Sequence, residues 1–179
     1  IRSQQINVDY CLSYEASQKY KEIKEHYLRE FSIDTPNVFM AMIQKMQQSY
    51  CDDRDKVLAA NRIATSLGID DTLVFCKFLC GRRALLDQNP DIQVTTYGKG
   101  SYGLNLQKYH HIIFYDKTFD YAQLEQAKRR IYRMGQNSDV TYHFMTGDVG
   151  LEAMIDRNIN RKVSIIDYFK KMIVKGKKE

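Results

Sequence analysis

The sequence predicts an α/β fold in which helices flank a parallel β-sheet. Four short runs are rich in Ile, Val and Phe, as buried strands are. They are TLVFCKF, IQVTTYG, HHIIFYD and VTYHFMTG. Helical segments stand among these runs, and strands that alternate with helices favour a parallel sheet. Active groups in such folds collect on loops at the carboxyl ends of the strands.

The first third of the chain is predicted to be helical. Apolar side chains recur at helical spacing from about Glu15 to Phe31. A second helix includes Pro36, which suits the first turn, and a third spans Asp53 to Leu67. We therefore divide the chain into a helical entry segment, residues 1–55, and an α/β lobe, residues 56–179.

Three further helices complete the predicted elements. A short one spans Gly81 to Gln88 and ends before Pro90, and a longer one spans roughly Tyr121 to Met134. The run SIIDYFKKMIVKGKKE closes the chain as a helix that leads into a basic tail.

The composition is that of a globular protein. Of 179 residues, 44% are hydrophobic and 27% are charged, which is not typical of disordered chains. The net charge of +5 permits a polyanionic partner but does not require one. No apolar run is long enough to span a membrane, and no signal peptide opens the chain. Because the first residue is Ile1 and not Met, we expect a piece of a longer protein.

The four cysteines carry no metal-binding pattern. Cys11, Cys51, Cys76 and Cys80 form no C-x-x-C pair and lie near no histidines at zinc-finger spacing. We expect four reduced thiols, no disulfide and no metal site.

A glycine-rich loop, YGKGSYGLNL, follows one predicted strand. Its Gly98, Gly100 and Gly103 would let backbone N–H groups approach an anion closely. The Walker order, G-x-x-x-x-G-K-[ST], is absent from the whole chain. Taken alone, the loop is explained as well by a plain turn as by anion binding.

The basic run QAKRRIYRMGQ, residues 126–136, is the second candidate. In a helix, Gln126, Arg130 and Arg133 lie at i, i+4 and i+7 and share one face. Two guanidinium groups beside an amide suit a phosphate chain, because Arg stays charged and donates hydrogen bonds in a planar fork. On spacing alone, a solvated basic helix is the simpler interpretation.

Taken in order, the two stretches resemble the second RecA-like domain of Swi/Snf-type ATPases, within helicase superfamily two. In that family motif V reads approximately S-x-x-A-G-G-x-G-L-N-L, and motif VI reads Q-A-x-D-R-x-x-R-x-G-Q. The direct matches here are Gly103, Leu104, Asn105, Leu106, Gln126, Ala127, Arg130, Arg133, Gly135 and Gln136. Thr96 stands at the Ser position, Asp116 matches the Asp that ends the next strand, and TLVFCKF resembles motif IV.

The chain also departs from that pattern. Arg129 replaces the Asp of motif VI, and Lys99 and Ser101 interrupt A-G-G. Residues 119–121 stand where W-N-P is expected, and only residues 78–96 separate motif IV from motif V. The chain thus resembles a shortened, phage- or mobile-element-like variant.

The resemblance implies that ATP with Mg²⁺ binds between two lobes, mainly on an N-terminal RecA-like lobe of the same parent chain. It implies that Arg133 is the arginine finger, with Arg130 as its partner or as a tether of motif V, and that Gln126 orients the site. Gly103 and Asn105 would also contact the nucleotide.

The same resemblance implies contacts to the backbone of double-stranded DNA. They would come from Thr96, Lys99, Ser101 and Asn105. The expected function is the C-terminal lobe of an ATP-dependent DNA translocase, cytoplasmic, bacterial or phage-encoded and nucleoid-associated, with no membrane partner. The lobe would be inactive without its Walker-bearing partner.

The alternative is a non-catalytic module that binds nucleic acid or protein on a degenerate RecA-like scaffold. Arg129 and the shortened middle favour this alternative. The retained Arg130 and Arg133 favour the translocase, because a scaffold needs neither at that spacing.

Overall fold

The computed structural model describes residues 3–31, 35–97, 106–131 and 139–160, with only the backbone given for residues 130–131 and 158–160. The strands in this part are β1 (Ser3–Asp9), β2 (Thr72–Cys76), β3 (Gln93–Thr96), β4 (His111–Phe114) and β5 (Val140–Thr146). The α-helices are α1 (Tyr14–Glu30), α2 (Pro36–Gln48), α3 (Arg54–Leu67), α4 (Leu79–Gln88), α5 (Tyr121–Ile131) and α6 (Gly150–Asn160).

The strands form one sheet in the order β1-β5-β4-β2-β3, and every pairing between neighbours is parallel. Helices flank it, so the predicted α/β fold class is confirmed. The four apolar runs of the sequence correspond to β2, β3, β4 and β5. The predicted helix in the run 53–67 and the short helix before Pro90 also form.

The strand β1 was not anticipated. Residues 1–55 were predicted as a helical segment, but Ser3–Asp9 pairs with Val140–Thr146 at the edge of the sheet. Its side chains are mostly exposed, so the composition lacks the signature of a buried strand.

Each strand sends alternate side chains to opposite faces of the sheet. On one face, Val74, Ile113 and Met145 belong to the larger apolar cluster, which α1, α2, α3, α4 and α6 cover. On the other face, Phe75 and Phe114 belong to a smaller cluster covered by α5. The helices of residues 1–55 therefore share a core with the sheet; the division at residue 55 stays a prediction.

The starts of α1 and α3 are fastened to each other. Ser13 caps α1 by accepting from the backbone N–H of Ala16. The Ser13 hydroxyl in turn donates to Asp53, the residue that caps α3. Capping of this kind satisfies backbone N–H groups that a helix cannot pair itself. These two helices thus enter the fold at a fixed relative position.

The prediction of four reduced thiols is wrong. Cys51 and Cys80 form a disulfide, with Cα atoms 6.5 Å apart, within the usual range for such bonds. The fold returns the chain to the same place after 29 residues, and sequence spacing alone carries no sign of that. Cys11 is exposed and free, and Cys76 is buried and free.

The described helices include none that is long and apolar enough to cross a membrane. The predicted C-terminal helix and the last residues of the predicted helix to Met134 lie outside the described residues.

Candidate functional site at the carboxyl edge of the sheet

The predicted site residues are only partly within the described residues. Thr96 is the last residue of β3, half-buried at the carboxyl edge of the sheet. Gln126 is exposed on α5, and Arg130 lies in the same helix. The other predicted residues lie outside the described part of the chain: Lys99, Ser101, Gly103, Asn105 and Arg133.

Helix α5 docks on the sheet by its apolar stripe, as its spacing predicts. Leu124 and Ala127 are buried in the smaller cluster, whereas Gln126 is exposed. The side chain of Asp120 accepts from the backbone N–H of Ala122 at 2.9 Å and so caps the helix. The polar face that bears Gln126 is therefore held on a rigid support.

Thr96, predicted to contact DNA, and Arg130, predicted to contact the nucleotide, lie toward different edges of the sheet. Thr96 ends a strand and lies at the carboxyl edge. Helix α5 starts after β4 and leads to the amino end of β5, so it runs antiparallel to both strands. Arg130, near the end of α5, therefore lies toward the amino edge.

The carboxyl edge is organised around Asp116, two residues beyond β4. Its side chain is fully buried, and its Oδ1 lies 2.7 Å from Nζ of the equally buried Lys56 on α3. Its Oδ2 accepts from the backbone N–H of Lys77, just beyond β2, at 2.7 Å. Its backbone carbonyl accepts from the hydroxyl of Tyr97, just beyond β3, at 3.2 Å. Asp116 thus joins the ends of three strands and one helix.

Aromatic rings surround the buried ammonium group. Nζ of Lys56 lies 4.1 Å from the ring centroid of Tyr115 and 5.1 Å from that of Tyr50. Ring faces attract a cation, and more so when it is desolvated. Together with Asp116 they offset the cost of removing this charge from water.

A second polar layer surrounds Lys77. Its Nζ donates to Oε1 of Gln47 at 3.1 Å and lies 3.4 Å from the ring centroid of Phe119. Gln47, which is fully buried, also donates to the backbone carbonyl of Lys117. Burial lowers the pKa of Lys77 to about 8, although Asp116 and Asp120 oppose the shift.

A second buried carboxyl, Glu152 on α6, lies beside this network. It accepts a hydrogen bond from the hydroxyl of Tyr50. Burial raises the pKa of Glu152, and the charge of Lys56 only partly counters that effect. Burial also raises the pKa of Tyr50, with a further contribution from the negative charge of Glu152. The uncharged form is therefore favoured more strongly for Glu152 than for an exposed carboxyl group.

A small cavity lies between this edge and α5. Tyr97, Asp116, Thr118, Leu124 and Phe144 are among the residues that line it, and its volume is about 30 Å³. At its rim Nζ of Lys117 pairs with Asp156 Oδ1 at 2.8 Å. This volume suits water and is too small for a nucleotide. Among the described residues, no group of three or more His, Cys, Asp or Glu could hold a metal ion.

No family model matches the sequence, and no curated protein matches it. Solved structures do. The Sulfolobus solfataricus SWI2/SNF2 ATPase core in complex with dsDNA is similar over 97% of this chain and 46% of its own, with 16% identity and a TM-score of 0.67. The C-terminal part of the Fun30 ATPase domain is similar over 96% of both chains, with 12% identity and a TM-score of 0.67. The Sulfolobus solfataricus SWI2/SNF2 ATPase C-terminal domain is similar over 89% of this chain and 86% of its own, with 15% identity and a TM-score of 0.61.

The last two structures are C-terminal parts, and they match along most of their length. This chain has the fold of a SWI2/SNF2 ATPase C-terminal lobe. The resemblance predicted from the order of the motifs is thereby confirmed at the level of the fold. The lobe spans less than half of the complete SWI2/SNF2 core structures, 43% and 46%.

Sequence reasoning did not single out the network that holds the carboxyl edge of this lobe together. Asp116 was matched to the family without a role, and Lys56 was not singled out. One signal was present: Lys56, Ala60 and Ala64 recur every four residues, and all three are buried. A lysine on the apolar stripe of a helix needs a buried acceptor, and Asp116 is the one the fold provides.

Proposed function

We propose that this lobe is the C-terminal half of the motor of an ATP-dependent DNA translocase. The observation that carries the proposal is the docking of α5. The helix that bears motif VI lies against a RecA-like sheet through Leu124 and Ala127 and exposes Gln126. Such a placement supports a phosphate-binding role, because a catalytic group needs a rigid base.

In this proposal three residues of motif VI have different roles. Arg133 is the arginine finger, Arg130 supports it, and Gln126 orients the group. The nucleotide with Mg²⁺ supplies the phosphoryl group that is transferred, and it binds mainly to the N-terminal lobe of the parent. A guanidinium that stabilises the charge of the transferring phosphoryl group contributes about 10³–10⁵ in rate.

Gly103 and Asn105 of motif V complete the proposed nucleotide contacts. Thr96, Lys99, Ser101 and Asn105 supply the proposed contacts to DNA. Thr96 lies at the carboxyl edge of the sheet, the edge at which open α/β sheets bind their ligands. A related core was solved with dsDNA, which supports duplex DNA as the partner. Contacts of this kind go to phosphates and carry little sequence information. We expect the parent in the cytoplasm, associated with the nucleoid of a bacterium or with phage DNA.

The proposal can be tested with variants of the parent protein. Arg133→Ala should abolish DNA-stimulated ATP hydrolysis and leave the folded state intact, as judged by circular dichroism and thermal unfolding. Arg62→Ala, which removes an exposed arginine of α3, is the matched control and should keep wild-type turnover. Near-normal turnover of the Arg133→Ala variant would remove Arg133 from this role.

The isolated lobe gives a second test. It carries no Walker loop, so we expect no ATP turnover above background, with or without duplex DNA. Turnover by the pure lobe would contradict the division of labour between the two lobes.

The alternative function, a non-catalytic binding module, rests on Arg129. This side chain is exposed and stands where the family has an acidic residue. A parent that binds duplex DNA but does not hydrolyse ATP in its presence would favour the module over the translocase.

A further inference from the structure

The Cys51–Cys80 disulfide joins a cysteine of the interior to a cysteine near the surface. Cys51 is 1% exposed, whereas Cys80 is half-buried. The residue before Cys80 is Leu79, which is 69% exposed, and Arg82 and Arg83 are exposed as well. Thiol exchange requires access to the sulfur that is attacked. A thiol from solution therefore approaches the bond from the side of Cys80 and not from the side of Cys51.

Cys80 is the second residue of α4, where the surrounding charge favours a thiolate. Backbone N–H groups at a helix N-terminus carry partial positive charge. The N-cap residue, Phe78, makes no side-chain capping hydrogen bond, and the first turn contains no acidic residue. Arg83, three residues further along, shares a helix face with Cys80 and adds a full positive charge. The thiolate is the form that attacks a disulfide and the form that leaves one, so Cys80 suits both steps.

The fold keeps the two cysteines together whether or not they are bonded. Tyr50, immediately before Cys51, is fully buried, and its hydroxyl donates to Glu152. Gly81, immediately after Cys80, is buried too. A chain of 179 residues also buries enough apolar surface to fold without a cross-link, unlike small secreted domains. Opening the bond therefore leaves both thiols in place to form it again.

We propose that Cys51 and Cys80 form a reversible thiol–disulfide exchange site, whose substrate is a low-molecular-weight thiol with its disulfide. Cys80 is the residue that exchanges with the external thiol. Cys51 is the residue that resolves the mixed disulfide. The proposal goes beyond the translocase function and does not depend on it.

The bond closes in two steps. The Cys80 thiolate attacks one sulfur of the external disulfide RSSR, forms a mixed disulfide with it and releases RS⁻. Cys51 gives its proton to solvent, and its thiolate then attacks Sγ of Cys80, forms the protein disulfide and releases a second RS⁻. Two protein thiols are thus oxidised while one RSSR is reduced to two thiols. Opening follows the reverse path, in which RS⁻ attacks Sγ of Cys80 and releases Cys51.

Two single variants of the parent protein test these roles. In Cys51→Ala, oxidised glutathione should add one glutathione to Cys80, and the mixed disulfide should persist because the resolving thiol is gone. In Cys80→Ala, the remaining Cys51 is buried and should be modified about tenfold more slowly, or not at all. Mass mapping of the peptides gives both rates. Cys76, which is buried and free, is the internal control and should stay unmodified in the native protein.

The wild-type parent shows whether the bond exchanges in the folded state. Reduced glutathione should open it and oxidised glutathione should close it again, while circular dichroism keeps its native signal. A bond that opens only after urea unfolds the protein would overturn the proposal and make the disulfide a permanent cross-link. Equal modification rates of Cys80 and Cys51 in the two single variants would overturn it too. None of these measurements involves ATP or DNA, so a failure of the proposed function is seen separately.

Discussion

Cys51 and Cys80 are joined by a disulfide that ties the turn after α2 to the first turn of α4. The hydroxyl of Tyr115, beyond β4, donates to the carbonyl of Cys51 at 2.6 Å. A Cβ at Gly81 would lie 3.2 Å from that same carbonyl oxygen. The covalent bond therefore fastens two parts of the helical layer to each other, and the hydrogen bond fastens the same place to the carboxyl edge of the sheet.

Thiol labelling checks this bond directly. In the native protein without reductant, a thiol reagent should label Cys11 alone, because Cys76 is buried and burial raises its pKa to about 12. Only the thiolate reacts. Unfolding without reductant should add Cys76, and reduction should add Cys51 and Cys80. Labelling of all four cysteines in unfolded, unreduced protein would contradict the disulfide.

Loss of the disulfide should lower stability. The bond closes a loop across 29 residues, and the chain-entropy model assigns such a loop about 3–4 kcal/mol. Cys51→Ala/Cys80→Ala should lower the free energy of unfolding in urea by about that amount. Cys11→Ala, at an exposed free cysteine, is the control and should change it little. Equal stability of the double variant and the wild type would show that the bond constrains nothing.

How far the sequence predicts this fold depends on how local each signal is. The strands β2 and β4 are buried apolar runs, and α3 and α5 have clear helical spacing, so each element carries its own evidence. The sequence of the edge strand β1 gives little evidence of a strand, because most of its side chains are exposed. Its pairing with β5 also joins residues far apart in the chain. Helix α6, Gly150–Asn160, was also not assigned.

The candidate site also contains some residues that local sequence patterns predict and others that only the fold brings together. The face shared by Gln126 and Arg130 follows from helical spacing alone, and the docking of α5 agrees with it. The contacts of Asp116 with Lys56 and Tyr97 span 60 and 19 residues and depend on which strands become neighbours. No local pattern encodes that order, so the network emerges only from the folded chain.

Glu152→Gln should stabilise the protein at neutral pH. Burial raises the pKa of Glu152, so the folded protein keeps its proton at pH values where the unfolded chain has released it. The stability that Glu152 contributes is complete below its ordinary pKa of 4.5 and is lost as the pH rises through the raised value. Glutamine can still accept from Tyr50 and carries no charge.

Urea unfolding at pH 7 and at pH 4 measures this difference. The variant should be more stable than wild type at pH 7, and the gap should shrink at pH 4. Glu25→Gln, at an exposed glutamate of α1, is the control. A Glu152→Gln variant that is less stable than wild type at pH 7 would show that the charged form is the one the fold favours.

Lys77 should make stability depend on pH in the alkaline range. Burial lowers its pKa from 10.5 to about 8, so between these values the unfolded chain binds a proton that the folded protein has released. Folding therefore gains stability from Lys77 as the pH rises from about 8 to 10.5. Lys77→Met removes the titrating group and should remove that gain.

The test compares wild type and Lys77→Met by urea unfolding at several pH values from 7 to 10.5. The difference in free energy of unfolding should move in favour of wild type as the pH rises. Lys45→Met, at an exposed lysine of α2, is the matched variant. A difference that stays constant over this window would contradict the lowered pKa.

Two helical glycines should respond to alanine in opposite directions. A Cβ at Gly81 would lie 3.2 Å from the carbonyl oxygen of Cys51 and 3.2 Å from Cε1 of Tyr115. The disulfide holds the first and burial holds the second, so neither gives way easily, and overpacking of this kind costs about 1–3 kcal/mol. A Cβ at Gly150, the first residue of α6, would meet nothing within 4 Å.

Gly150→Ala should therefore raise the free energy of unfolding by up to about 1 kcal/mol, because alanine favours the helix and restricts the unfolded chain. Gly81→Ala should lower it, and the loss should diminish once the Cys51–Cys80 bond is reduced, since the Cys51 carbonyl can then move away. Thermal unfolding of both variants, oxidised and reduced, measures these effects. If Gly81→Ala destabilised the protein equally in both redox states, the disulfide would not be what keeps the Cys51 carbonyl in place.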